Sequence, residues 1–244
     1  MRSAGWLWII GTVVLLSAAA CSGGEQKGTP AVTQKGERAV GDSEATRTLA
    51  VRPRVLFVGT SLTAGYGLDP DEAYPAVLQR LADSADVPVE MVNAGLSGET
   101  SAGALRRMDW LLRGDARVIV IETGANDGLR GLRVDSTRAN IRAIIAAVRR
   151  TRPDARMLLV QMEAPPNLGA RYTADFQRMF QEIAASESIP LAPFLLEGVA
   201  GREDLNQADG IHPTAEGARV AAQNVWRVLR PVIEDAAGPA SRRP

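Results

Sequence analysis

The chain has 244 residues, enough for one substantial domain with appendages, and its 45% hydrophobic and 23% charged content are those of an ordinary globular protein. Its 28 Lys and Arg balance 28 Asp and Glu, and aromatics make up only 5%, so neither a basic footprint for nucleic acid nor a base-stacking surface is indicated. A single Cys and a single His exclude an internal disulfide framework, a Cys-rich zinc site and a multi-His metal site.

Residues 1–20 read as an export signal. Arg2 supplies a positive start, Trp6 to Leu16 an apolar core, and Ser17-Ala-Ala-Ala20 the small residues before Cys21. The apolar stretch is too short to span a bilayer comfortably. Two processing routes are open. Cleavage after the alanines would release a soluble protein. Alternatively, small residues directly before Cys21, with Ser22-Gly23-Gly24 behind it, resemble a bacterial lipobox with Cys21 lipidated, although Ala18 stands where a larger aliphatic residue is usual. A free Cys in an exported chain and the polar stretch that follows it favour the lipid anchor and a location in the periplasm or cell envelope. Residues 21–50 are rich in Gly, Thr, Glu, Lys and Ser and lack apolar periodicity, so they read as a disordered linker.

From Val51 the pattern alternates strand and helix. Val55–Val58 is the first expected strand and Ala73–Leu81 the first helix, with Val77, Leu78 and Leu81 on one side. Val87–Val92 is the second strand, followed by a helix over Thr100–Leu112. Val118–Ile121 is all apolar, as suits a central parallel strand buried on both faces. The clearest helix is Asp135–Arg150, with Ile141, Ile144, Ile145 and Val148 at i, i+3, i+4, i+7. Met157–Val160, a helix over Thr173–Ala184, Ile189–Ala192 and a last helix from Thr214 to about Val232 complete the domain, set at residues 51–233. Residues 234–244 read as a disordered tail. Strict alternation with short joins predicts an α/β domain: a five-stranded parallel sheet with helices on both faces. The carboxyl ends of all strands then open on one rim, where ligands bind such sheets.

Four loops reach that rim. Gly59-Thr-Ser61 follows the first strand, Asn93 to Thr100 the second and Gly124-Ala-Asn126-Asp-Gly128 the third. Asp209-Gly-Ile-His212-Pro-Thr214 precedes the last helix. Taken singly, each is ordinary turn chemistry. Together they hold the parts that acyl transfer requires. His212 is the one imidazole base. Asp209, three residues earlier, can orient and stabilise it. Ser61 offers a hydroxyl, and its N–H, the Gly98 N–H and the Asn126 amide are candidate oxyanion donors. No Gly-x-Ser-x-Gly elbow surrounds Ser61, no dinucleotide or Walker loop follows the first strand, and acidic residues lack metal-ligand spacing, so neither a cofactor nor a metal is expected.

The Gly-Thr-Ser-Leu, Gly98 in Ser-Gly-Glu-Thr, Gly-Ala-Asn-Asp-Gly-Leu-Arg-Gly and Asp-Gly-Ile-His-Pro stretches resemble the four blocks of the GDSL or SGNH hydrolases. The resemblance runs from about Arg54 to Arg230. Leu62 to Gly67, Asn126 to Gly131 and Ala164 to Tyr172 are similar to its bacterial thioesterase I/lysophospholipase (arylesterase) branch. The resemblance implies a three-layer α/β/α sandwich with a flavodoxin-like sheet. It implies Ser61 as nucleophile, Gly98 and Asn126 in the oxyanion hole, and Asp209 and His212 as acid and base. Thr60 departs from the pattern, since the family usually has Asp before the nucleophile. In the resembled branch the segment after the Asn block contacts the acyl chain, which points to Leu129, Leu132 and Val134. The expected substrates are acyl esters, lysophospholipids or acyl thioesters, handled by a monomer. Two other readings stay open: a carbohydrate O-deacetylase of the same family, and a non-catalytic envelope binding protein on this fold.

Overall fold

The computed structural model describes residues 52–238. The expected export signal, Cys21, the 21–50 linker and residues 239–244 of the tail lie outside them. Five strands form one sheet: β1 (Arg54–Gly59), β2 (Glu90–Gly95), β3 (Ala116–Ile121), β4 (Arg156–Gln161) and β5 (Leu191–Phe194), in the order β2-β1-β3-β4-β5. Every neighbouring pair is parallel. Between them lie α1 (Ser61–Ala64), α2 (Tyr74–Ser84), α3 (Ser101–Leu111), α4 (Ala125–Leu129), α5 (Val134–Thr151), a 3₁₀ turn (Pro166–Leu168), α6 (Ala170–Ser186) and α7 (Ala215–Ala236).

The chain moves from β1 out to β2, then back past β1 to β3. Right-handed crossovers in opposite directions land on opposite faces. Accordingly α2 packs with α7, while α3 packs with α5 and α5 with α6. The result is the expected three-layer α/β/α sandwich. Coverage on both faces explains why Val55–Val58, Val118–Ile121 and Met157–Val160 are buried without alternation. The reversal of strand order at β1 and β3 leaves a crevice at their carboxyl ends. Ser61 follows one of these strands and Asn126 comes shortly after the other.

Four boundaries differ from expectation, set by backbone hydrogen bonding or by packing. The second strand begins at Glu90 rather than Val87. Val87 N–H donates to the Ala82 carbonyl at 2.9 Å and closes α2, Pro88 has no N–H, and the ladder opens only where Glu90 N–H reaches the Pro53 carbonyl. Asn93–Gly95, read as loop, belong to β2. Gly95 is small for close packing rather than for turning, because a Cβ there would lie 2.2 Å from the Ala64 nitrogen. The fifth strand is likewise displaced to Leu191, since Ile189 N–H caps α6 through the Ala184 carbonyl. Last, the tail starts later than residue 234. α7 continues to Ala236, with Ile233 buried and Asp235 paired to Arg156 at 2.7 Å. Pro231 is tolerated inside α7 on its exposed side.

Candidate active site

β1 ends in Gly59, and the chain turns at once into α1. Thr60 is extended and caps α1, accepting the Leu62 N–H at 3.4 Å. Ser61 is therefore the first residue of a single helical turn, which Gly65 ends in the left-handed conformation at φ 76°. Gly59 cannot carry a side chain: a Cβ would meet Thr63 Oγ1 at 1.9 Å.

His212 comes from the loop between β5 and α7. Its Nε2 lies 2.9 Å from Ser61 Oγ and its Nδ1 lies 2.6 Å from Asp209 Oδ2. A carboxylate can only accept, so Nδ1 carries the hydrogen and Nε2 of the neutral ring accepts the Ser61 hydroxyl. The other Asp209 oxygen accepts the backbone N–H of Ile211 at 2.9 Å and of His212 at 3.0 Å. The His212 backbone bond, then its side-chain bond and the Ile211 bond, hold the Asp209 carboxyl down at about 2. Asp209 is thus an anion at any working pH, fixed by three donors. The loop is tied down as well. Gln207 N–H donates to the His212 carbonyl at 2.7 Å, and Gln207 Nε2 reaches the carbonyls of Tyr66 and Pro213. Tyr66 lays its ring beside the imidazole, with centroids 4.6 Å apart. Neither Gln207 nor Tyr66 carries a sequence signal beyond its closeness to the motifs.

The third rim segment folds as α4. Asn126 Nδ2 donates to the Glu99 carbonyl at 3.0 Å. Its neighbour Asp127, buried, accepts the Ser101 N–H at 2.8 Å, the Ser101 hydroxyl at 2.5 Å and the Thr137 hydroxyl at 3.2 Å. One carboxylate thereby joins α3, α4 and α5. Glu99 is held bidentately by Arg107 at 2.7 and 2.5 Å. Gly98 adopts φ 75°, which favours glycine, and its carbonyl accepts Arg130 Nη2 at 3.0 Å. Among the described residues, neither the Ser61 N–H nor the Gly98 N–H is taken by a protein acceptor.

Ser61, Asn126 and Leu129 line one cleft of about 270 Å³, with Pro165, Phe194 and Ile211 among its apolar walls. Leu132 and Val134 are not among the residues lining it. Leu132 is exposed and gives its carbonyl to the Tyr172 hydroxyl at 2.6 Å. Val134 opens α5 and lines a separate groove with Arg133, Arg138 and Tyr172.

A doubly covered parallel sheet with this hydroxyl–imidazole–carboxylate series on its carboxyl rim has the makings of a hydrolase. The chain belongs to the GDSL-like lipase/acylhydrolase family, whose model matches residues 57–220. It is 40% identical over 186 residues to the esterase TesA of Pseudomonas aeruginosa, covering 75% of this chain and 91% of that protein. It is 34% identical over 185 residues to the thioesterase 1/protease 1/lysophospholipase L1 of Escherichia coli K12, covering 75% and 86%. Among solved structures it resembles a psychrotrophic esterase, EstA from Pseudoalteromonas sp., inhibited by monoethylphosphonate. The TM-score is 0.70 at 33% identity, covering 74% of this chain and 98% of that one. The protein is an ester hydrolase of the esterase, thioesterase and lysophospholipase type.

Proposed function

We propose that the protein hydrolyses acyl esters and lysophospholipids through an acyl-enzyme on Ser61. The observation that carries this reading is the unbroken series Asp209–His212–Ser61, at 2.6 and 2.9 Å, opening on the apolar cleft. His212 Nε2 takes the Ser61 proton as Oγ attacks the ester carbonyl. Asp209 stabilises the imidazolium that forms. The Ser61 N–H, the Gly98 N–H and the second Asn126 amide hydrogen receive the oxyanion. His212 then protonates the departing alcohol or thiol. Water, deprotonated by the same imidazole, releases the carboxylic acid and restores Ser61.

Leu129 supports an apolar acyl group, since it forms part of the cleft wall beside Ser61. Leu132 and Val134 would act only on a chain long enough to leave the cleft. A fluorophosphonate probe is expected to label Ser61 stoichiometrically, and octanoyl esters should be hydrolysed faster than acetyl esters. Absence of labelling would favour a binding protein, and acetyl preference with acetate release from acetylated glycans would favour a deacetylase.

We further propose that Cys21 is lipidated and tethers a monomeric domain to the envelope, supported by the small residues before it and the polar stretch behind it. Mass spectrometry of the membrane-extracted protein should find Cys21 as a diacylglyceryl-modified N-terminus; an unmodified Cys21 would sink this proposal.

A further inference from the structure

Glu122 stands directly after β3 and is fully buried, yet it has no part in the chemistry written for Ser61. Its partners are donors from the nucleophile turn. Thr60 N–H reaches Oε2 at 2.8 Å, and the Thr60 hydroxyl lies 3.0 Å from each carboxyl oxygen. The Thr63 hydroxyl donates to Oε2 at 2.8 Å. The Tyr74 hydroxyl, from α2, lies 2.9 Å from Thr63 Oγ1. Thr63 gives its one hydrogen to Glu122, so Tyr74 is the donor to Thr63. Every hydrogen in the network therefore runs toward the carboxyl group.

That polarity suits an anion. A protonated Glu122 would have to place its own hydrogen on Thr60 or Thr63, and the displaced hydroxyl hydrogen would then lack its acceptor inside the core. The two threonines flank Ser61, one directly before it and one two residues after. Gly59 completes the grip, because a Cβ there would lie 2.8 Å from Glu122 Oε2 and nearer still to Thr63. The carboxyl group thus holds both sides of Ser61 without touching its hydroxyl, which is left to His212.

We propose that Glu122 is a positioning residue for Ser61: as a carboxylate it locks Thr60 and Thr63, keeps the Ser61 hydroxyl aligned with His212, and makes hydrolysis depend on a second, buried ionisation. The inference rests on Ser61 being the nucleophile. Burial pushes the Glu122 carboxyl up to about 7, against the lowering effect of the Thr60 and Thr63 donors. Tyr74, the titratable group facing it from α2, is itself pushed up by burial and by the Glu122 charge, so it stays a neutral donor. β2 faces the turn with the neutral amide of Asn93, which donates to the Thr63 carbonyl at 2.7 Å. Across Ser61 stand His212 and the ionised Asp209. The active anion accumulates as pH rises through about 7, and the turn loosens as pH falls below it.

The test is the pH profile of p-nitrophenyl butyrate hydrolysis by the full chain and three variants. Glu122→Gln should lose about ten- to a hundredfold in kcat with KM within about threefold. The acid limb of its log(kcat/KM) profile should be shallower than the parent's by about one proton, the proton that Glu122 takes up. Thr60→Val, which strips a donor from the carboxylate, should move the acid limb to higher pH, and Thr60→Ser should return it. The Tm of Glu122→Gln relative to the parent should rise between pH 5 and 8. The raised folded-state value means that the parent's Glu122 charge costs stability as pH climbs through that window. A Glu122→Gln enzyme with parent-like kcat and acid slope overturns the inference. So does a Thr60→Val that loses kcat with an unmoved limb, and this variant decides the matter if Glu122→Gln does not fold. If a fluorophosphonate still labels Ser61 in such an enzyme, only the role of Glu122 falls. Labelling elsewhere would remove the nucleophile itself.

Discussion

Ser61→Ala is expected to lower kcat for short p-nitrophenyl esters by about 10⁴- to 10⁶-fold while leaving KM within about threefold. The size follows from the geometry. Oγ is the one atom placed 2.9 Å from His212 Nε2 at the mouth of the cleft, and no other hydroxyl among the described residues bonds to that ring. His212→Ala should cost a similar factor, since an unassisted serine hydroxyl is a weak nucleophile at neutral pH. If the two are nucleophile and base acting as one unit, combining them should cost little more than either alone. Strictly additive losses would mean that the two residues work in separate steps. A loss below about tenfold in either variant would mean that the chemistry lies elsewhere. Asp209→Asn discriminates further. Asparagine can present its amide to Nδ1 and turn the imidazole to the wrong tautomer, so the fall should be nearly as large although the fold is untouched.

How far this site could be read from the sequence depended on what kind of force placed each residue. Ser61, His212 and Asp209 were legible because periodicity fixes where parallel strands end, and parallel strands share one rim. The three central strands β1, β3 and β4 were legible as apolar runs, since helices cover both faces. Element ends were less so. Val87–Val89 has the composition of a strand, but its backbone is spent on closing α2, and composition does not reveal where an N–H is bonded. Asn93–Gly95 has the composition of a turn yet pairs in the ladder, because the small side chains serve close packing against α1. The residues that brace the site were the least legible. Glu122 and Asp127 sit within or beside motifs whose neighbours carry the stronger signal, and their partners Thr60, Thr63, Ser101 and Thr137 are distant in sequence or look like routine caps. One clue was available for Glu122: a carboxylate that directly follows the all-apolar run Val118–Ile121 leaves a buried strand with little room for exposure. The three residues expected on the acyl side divide for a similar reason. Leu129 ends α4 and faces the cleft, whereas the chain turns away at Gly131, at φ 60°, and carries Val134 to another groove.

Asn126→Ala should lower kcat by about 10²- to 10³-fold, equivalent to roughly 3–4 kcal/mol of lost transition-state stabilisation. Its side-chain amide carries two hydrogens. One is committed to the Glu99 carbonyl at 3.0 Å, which fixes the plane of the amide and leaves the other available on the cleft side. The Glu99 carbonyl is itself held in place. The Glu99 side chain is clamped by Arg107, and the following turn is pinned where Ser101 meets Asp127. A donor fixed in this way needs no reorganisation when negative charge develops, and for that reason it acts on the transition state more than on the bound ester. KM should therefore stay within about threefold, and the loss should appear in kcat. Gly98 is a poorer place to ask the same question. Its φ of 75° means that any side chain there strains the turn and confounds the loss of its N–H. If Asn126→Ala raised KM and spared kcat, the amide would be a substrate-binding group rather than an oxyanion donor. The Ser61 and Gly98 N–H groups would then be left to hold the oxyanion between them.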